Sequence, residues 1–209
     1  MLKLRTIGRK AAAAAFVFAA LHVVGGEPIA QADDTIKHPG DHPDYKIEIE
    51  PHGLFAWEDF YGGNGFGAGG RFTIPVVRNG FIPSINNSIG VSFGLDFVHY
   101  SGCYYKAFGT STGCGANYLF FPVAMQWNFY VAERWSVAGE PGLFLYTGFY
   151  DDNGLGDFCN NNGGCSGSPT RTSVRPSLSL VGRYHFNEKI SLTMRVGYPT
   201  LSVGVSFFL

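Results

Sequence analysis

The 209-residue chain has no apolar run long enough for a membrane-spanning helix once its first 32 residues are set aside. Such a helix needs about 20 predominantly apolar residues in succession. Backbone polar groups inside a bilayer must all be hydrogen-bonded within the protein, so any membrane insertion by this chain has to use β-strands. The 29 glycines, 19 phenylalanines and 11 tyrosines favour β-structure rich in glycine and aromatic residues over a helical bundle.

Residues 1–32 are predicted to be a secretory signal peptide rather than part of the fold. A basic start is followed by the apolar stretch 11–24, which only His22 interrupts, and by Ala-Gln-Ala at 30–32. A positive segment, a short apolar segment and a small-residue cleavage site form the usual layout of such peptides. The alternative, an N-terminal membrane anchor, is disfavoured by the shortness of the apolar stretch. The basic residues are Lys3, Arg5, Arg9 and Lys10.

A surplus of positive charge is also absent. Without residues 1–32 the chain keeps 11 Lys and Arg against 15 Asp and Glu, a net charge of −4. Nucleic acids and anionic membrane surfaces attract basic proteins, so neither is a predicted partner. Residues 33–44 are polar, include two prolines and show no periodicity, which predicts a flexible periplasmic segment; its histidines and aspartates indicate no metal site.

The cysteines lack the spacing of a metal site. No Cys-x2-Cys pair and no neighbouring histidine accompany them, so no metal and no other cofactor is predicted. An even number in an exported chain instead predicts two disulfides, for which three connectivities are possible. Both close pairs lie in stretches rich in Gly, Ser, Thr and Asn, which favours Cys103–Cys114 and Cys159–Cys165.

From Tyr45 onward, apolar and polar residues alternate in eight segments, the pattern of β-strands with one apolar face. Nine charged residues fall within them, all on the polar face. An Arg or Lys facing lipid at mid-membrane costs roughly 2–4 kcal/mol, so a transmembrane barrel must keep charges off its outer face. The segments are 46–57, 65–77, 88–98, 117–130, 135–149, 172–186, 190–198 and 201–209; the charges are Lys46, Glu48, Glu50, Arg71, Asp96, Glu140, Arg175, Arg183 and Arg195.

Connection lengths separate a barrel from a secreted β-sandwich or lipocalin-like binder, which would show the same alternation. The long, cysteine-bearing connections 99–116 and 150–171 follow odd-numbered segments, and the short turns 131–134 and 187–189 follow even-numbered ones. Outer-membrane barrels have this arrangement, with short turns in the periplasm and long loops outside. The sequence thus predicts an all-β, single eight-stranded antiparallel up-and-down transmembrane barrel over residues 45–209.

These features resemble the small eight-stranded outer-membrane barrels of the OmpX and OmpA membrane-domain type, over about residues 45–209. The last segment is similar to the signal that such proteins present to the barrel-assembly machinery. The resemblance therefore implies residence in the bacterial outer membrane, with that membrane's lipid and the assembly machinery as partners. The residues of the proposed assembly signal alternate along the last segment: Leu201, Val203, Val205, Phe207 and Leu209.

A barrel of eight strands has an interior that side chains can fill. Five basic and four acidic inward residues predict a paired network that plugs the lumen, since a selective pore would show one sign of charge. Binding would then fall to the extracellular loops, whose ligand the sequence does not reveal. The alternative readings are a narrow small-solute channel and a lipid-modifying enzyme.

His99-Tyr100-Ser101 is similar to the His-x-Ser of lipid A deacylases, which also carry a carboxylate on the lipid-facing wall. A serine nucleophile needs a base within reach and an acid that orients the base. The predicted frame turns Glu140 inward and leaves no acid, and Gly102 follows the serine where that family usually has Asn. The sequence therefore predicts a non-enzymatic protein.

Overall fold

The computed structural model describes residues 35–57, 64–101, 115–150, 170–198 and 200–209 as one closed antiparallel barrel. Each strand pairs with the next along the chain, and β1 pairs with β8 to close the barrel. The strands are β1 (Glu48–Ala56), β2 (Asn64–Val77), β3 (Asn87–Ser101), β4 (Gly115–Ala132), β5 (Trp135–Tyr150), β6 (Thr170–Asn187), β7 (Ile190–Gly197) and β8 (Thr200–Phe208).

The barrel forms because, along each strand, apolar side chains that face outward alternate with side chains that face the lumen, away from lipid. In β8, for example, Ser202 and Ser206 are buried inside, whereas Val203 and Phe207 are exposed on the outer wall. No charged side chain lies on the outer face of the described strands. The predicted fold class and strand number are confirmed.

The two ends of the barrel differ. Both β1 and β8 reach the end that also holds the turns 133–134 and 188–189, called here the terminal end. The opposite, loop end is where residues 102–114 and 151–169 connect the strands. Strands β4 and β6 contain 18 residues each but β7 only 8, so the wall is taller on one side at the loop end. Among the described residues, no helix is long and apolar enough to cross a membrane.

Strand boundaries differ from the prediction mainly at the loop end. Strands β3, β4 and β6 extend by two or three residues into the predicted long loops, because backbone pairing continues past the last alternating apolar residue. At the other end β1 begins at Glu48, two residues later than predicted.

Residues 35–44, predicted to be flexible, instead lie against the terminal end. The His42 ring stacks on Tyr130 with centroids 4.6 Å apart, and the Asn86 amide nitrogen donates a hydrogen bond of 2.6 Å to the Asp41 carbonyl. Burial, with Tyr130 and Glu48 nearby, raises the pKa of the Tyr45 phenol. A polar composition did not reveal these contacts, because they depend on the terminal end being present as a docking surface.

Candidate functional site: the barrel lumen

Arg195 on β7 lies at the centre of an ionic network in the middle of the lumen. Its Nη1 and Nη2 donate to the two carboxylate oxygens of Glu50 on β1, at 2.7 and 2.9 Å. Its Nε donates to Glu140 on β5 at 2.7 Å. Arginine binds carboxylates best in this two-point geometry, and here one guanidinium joins strands on different sides of the barrel.

The network continues toward β2 and β3. Arg71 lies 3.6 Å from Glu140 and 3.4 Å from Asp96, measured between nitrogen and oxygen. His52 on β1 donates from Nε2 to Asp96 at 3.0 Å, and its Nδ1 lies 3.5 Å from Glu50. The acid–base contacts thus form a ring of interactions around the inner wall.

A second ion pair lies nearer the terminal end. Arg183 on β6 contacts Glu48 on β1 at 3.1 Å and donates to the Asn128 side-chain oxygen at 2.8 Å. The Asn128 amide nitrogen in turn donates to Ser88, whose hydroxyl lies 3.2 Å from the Tyr130 hydroxyl. Arg183 and Glu48 are almost fully buried, so their charges are compensated by each other and by neutral hydrogen-bonding groups.

Glycines on the inner wall make room for these long side chains. A Cβ at Gly69 would collide with the Asp96 carboxylate and would lie 2.8 Å from His52 Nε2. A Cβ at Gly94 would lie 2.9 Å from the Arg71 side chain. Glycine is therefore the residue that allows Arg71, Asp96 and His52 to meet at this level.

The predicted network and the observed one overlap in seven residues and differ in two. Lys46 precedes β1 and is exposed, so it lies outside the lumen. Arg175 lies higher on β6, is exposed, and has its guanidinium 5.8 Å from the centre of the Tyr146 ring. The members in place are Glu48, Glu50, Arg71, Asp96, Glu140, Arg183 and Arg195.

Three polar residues of the lumen network were not among those predicted from the sequence. His52 and Asn128 make the contacts given above, and Gln126 donates to Glu140 at 2.8 Å. All three lie on the predicted polar face. The alternation predicts that these three side chains face inward, but the predicted lumen network included only residues with a formal charge.

An apolar cluster fills the lumen above the ionic network, toward the loop end, and it too was missed. Its aromatic rings lie 5.4 to 6.1 Å apart, as in packed protein cores. Its members lie on the same inner face as the charges, so the alternation of β3, β4 and β5 contained the signal. They are Leu54, Ala56, Val98, Tyr100, Tyr118, Phe120, Phe144 and Tyr146.

Several solved structures that resemble this barrel in fold are outer-membrane proteins. The outer membrane protein OprG from Pseudomonas aeruginosa has a TM-score of 0.52 at 12% identity, covering 82% of this chain and 99% of that one. The attachment invasion locus protein Ail of Yersinia pestis, in complex with a heparin analogue, gives 0.49 at 13% identity over 80% and 99%. Neisserial surface protein A gives 0.45 at 13% identity over 78% and 96%. No protein-family model matches the chain, nor does any curated protein sequence.

The chain has the fold of a small eight-stranded outer-membrane barrel. On β4 the apolar outer positions run from Leu119 to Phe129, about 33 Å along the strand and about 25 Å along the barrel axis at a tilt near 40°. That height matches the apolar band of such proteins. The outer wall of the barrel is therefore suited to span a membrane.

The barrel's outer wall contains no catalytic acid in its described strands. His99 faces outward and donates from Nδ1 to the Asn117 side-chain oxygen at 2.8 Å. The carboxylates of the described strands, Glu48, Glu50, Asp96 and Glu140, all lie in the lumen. The described strands therefore place no carboxylate on the outer wall beside His99. The side chain of Ser101 lies outside the described part of the structure.

Two further predictions concern the disulfides and the absence of a metal site. Cys103, Cys114, Cys159 and Cys165 lie outside the described residues, so both disulfides stay predictions. Within the described ranges, no cluster of three or more His, Cys, Asp or Glu side chains has the arrangement of a metal site.

A barrel of this construction is expected to resist sodium dodecyl sulfate until it is heated. All its strands are paired around the circumference, so unfolding must break a closed sheet. We expect the unheated protein to migrate faster than the boiled protein on a denaturing gel. Identical mobility before and after boiling would contradict a stable transmembrane barrel.

Proposed function

We propose that the protein is a sealed outer-membrane barrel that displays its long loops at the cell surface, in a structural or surface-interaction role. The observation that carries the proposal is the arrangement around Arg195. Its guanidinium binds Glu50 and Glu140 at once and so occupies the centre of the lumen, where a solute path would have to run.

The ionic network and the aromatic cluster both support a closed lumen, and they lie at different heights along the barrel axis. The ionic network pairs opposite charges in place of the single-sign lining expected of a selective pore. The aromatic cluster occupies the lumen nearer the loop end. A cavity of about 30 Å³ beside Arg71, Asp96 and Glu140 is large enough to hold water.

The orientation follows from the general arrangement of bacterial outer-membrane barrels, in which short turns face the periplasm. The loops that carry 102–114 and 151–169 are then extracellular. The disulfides Cys103–Cys114 and Cys159–Cys165 would each close a short loop, a constraint worth up to about 3 kcal/mol. Such cross-links would present a defined loop surface to a partner, and loops on a rigid scaffold commonly carry binding functions.

Electrical recording in planar bilayers tests the sealed-barrel proposal. We expect purified wild-type protein to show no sustained conductance, because paired and packed side chains occupy the lumen. The matched variant, Glu140→Ala with Arg195→Ala, removes both partners of the central contact and is expected to give brief openings. A stable open channel in the wild-type protein would contradict the proposal and favour the narrow-channel alternative.

A further inference from the structure

Neutral polar side chains on the outer wall are concentrated at the loop end. Below them, every outer position of β4 from Leu119 to Phe129 is apolar. At the terminal end the outer position Asn87 is buried and accepts a hydrogen bond from Trp127. We use the name outer polar band for four residues of the loop end: His99, Asn117, Thr147 and Thr172.

The strand register places the band's residues side by side on β3 to β6. His99 is the pairing partner of Asn117, and Thr147 is the partner of Thr172. Thr147 is also paired with Leu119, two residues from Asn117 on the same face. With strands about 4.8 Å apart, the band covers about 14 Å of the barrel wall.

Each pair within the band uses only part of its hydrogen-bonding capacity. His99 donates to the Asn117 oxygen at 2.8 Å, which leaves the two amide hydrogens of Asn117 for another acceptor. The Thr147 and Thr172 hydroxyls lie 3.1 Å apart, and one of them donates to the other. A hydroxyl can donate once and accept twice, so further capacity remains on the wall.

Aromatic rings flank these polar groups. Phe97, two residues from His99 on β3, is 45% exposed, and Phe149, the pairing partner of Asn117, is 42% exposed. Hydrogen-bonding amides and hydroxyls beside exposed rings suit a ligand with both hydroxyl groups and apolar C–H surfaces. A sugar has both.

The height of the outer polar band on the wall indicates where in the membrane a ligand would contact it. It begins where the apolar belt of about 25 Å ends, so its polar groups lie at the boundary of the hydrocarbon, where they can be satisfied. The band carries no Lys or Arg. Recognition there would use neutral hydrogen bonds, which suits hydroxyl groups better than phosphate.

We propose that the outer polar band binds the saccharide headgroup of a glycolipid in the outer leaflet. The acyl chains lie against the apolar belt while the first sugars meet the amide and hydroxyl groups above it. This proposal rests on the orientation given under the proposed function. It concerns the wall rather than the lumen or the loops.

Titration with lipopolysaccharide carrying a short core oligosaccharide, followed by native mass spectrometry of the detergent-solubilised protein, tests this proposal. We expect wild-type protein to bind this glycolipid at least about tenfold more tightly than phosphatidylglycerol. The variant Asn117→Leu with Thr147→Val and Thr172→Val should reduce binding about tenfold, because it removes the amide and both hydroxyl groups of the band and nearly preserves side-chain volume. The double variant Thr147→Ser with Thr172→Ser keeps the hydroxyls and should bind within about twofold of wild type.

Three results would overturn the proposal. They are unchanged binding in the Leu/Val/Val variant, an equal loss in the Ser/Ser variant, and equally tight binding of the core oligosaccharide freed of its acyl chains. The heat-dependent gel shift verifies that each variant is folded. Bilayer conductance of the same samples reports on the sealed lumen separately, so failure of one proposal is distinguishable from failure of the other.

Discussion

Deletion of Phe207–Leu209 is expected to lower the yield of membrane-inserted barrel about tenfold or more. The Leu209 carbonyl accepts backbone hydrogen bonds from Lys46 at 2.7 Å and Ile47 at 3.1 Å, and its amide donates to the Ile47 carbonyl at 2.9 Å. Phe208 is buried inside the barrel, where its ring lies 4.9 Å from that of Tyr45. The deletion removes the last step of closure between β1 and β8, and unpaired backbone groups are costly beside lipid.

The measurement is the fraction of protein in the outer membrane that shows the heat-dependent gel shift. The single substitution Leu209→Phe is the matched control, because it keeps the backbone bonds and the outward apolar side chain, and it should insert normally. Normal insertion of the truncated protein would contradict both the closure argument and the proposal that β8 addresses the chain to the barrel-assembly machinery.

The fold was predictable because a lipid-facing wall constrains every second residue of every strand. Near mid-membrane, a charge on that wall destabilises the barrel more than most single substitutions do. The inward orientation of side chains such as Arg71 or Asp96 therefore follows from their sequence neighbours alone. The same reasoning assigned the two faces of β8 from Val203 and Ser202. Alternation of this kind is a local property, and local properties can be read without knowing the structure.

The partners inside the lumen were not predictable, because they depend on closure and register. Glu50 and Arg195 are 145 residues apart in sequence and meet only because β1, β7 and β8 lie together at the closure of the barrel. Lys46 shares the inward parity of Glu48 but lies below the first strand pair, where water is accessible. Parity therefore predicts the side of the wall, whereas height along the axis decides whether a side chain enters the network.

The aromatic cluster shows a limit of the two-face rule. In a barrel both faces can be apolar, since the lumen excludes water wherever side chains fill it. Tyr118 and Phe120 lie on the same inner face as Gln126. The predicted assignment of inward and outward positions on β4 was therefore correct. The expectation that the inward face is polar was wrong above the ionic network. The change from charged to aromatic filling along one face marks the level at which the lumen becomes apolar.

Replacement of Arg195 by Met is expected to lower the free energy of unfolding by about 3–5 kcal/mol. It leaves Glu50 and Glu140 buried near each other without the guanidinium that both contact, and breaking a buried ion pair costs this much. The matched control is Arg78→Met. Arg78 pairs with Asp44 at 2.8 Å, but both side chains are more than half exposed, so its loss should cost less than about 1 kcal/mol. Urea unfolding in detergent, followed by tryptophan fluorescence, measures both.

A triple variant separates the cost of unpaired charge from the loss of the side chain itself. Combining Arg195→Met with Glu50→Gln and Glu140→Gln removes the two uncompensated carboxylates and nearly preserves the volume of the filling. Because replacing a whole buried ionic group can be neutral, this variant should recover much of the stability that Arg195→Met loses. A triple variant as unstable as the single one would mean that hydrogen-bond geometry, rather than charge compensation, stabilises this level of the barrel. An Arg195→Met protein as stable as Arg78→Met would show that the lumen around Arg195 is hydrated.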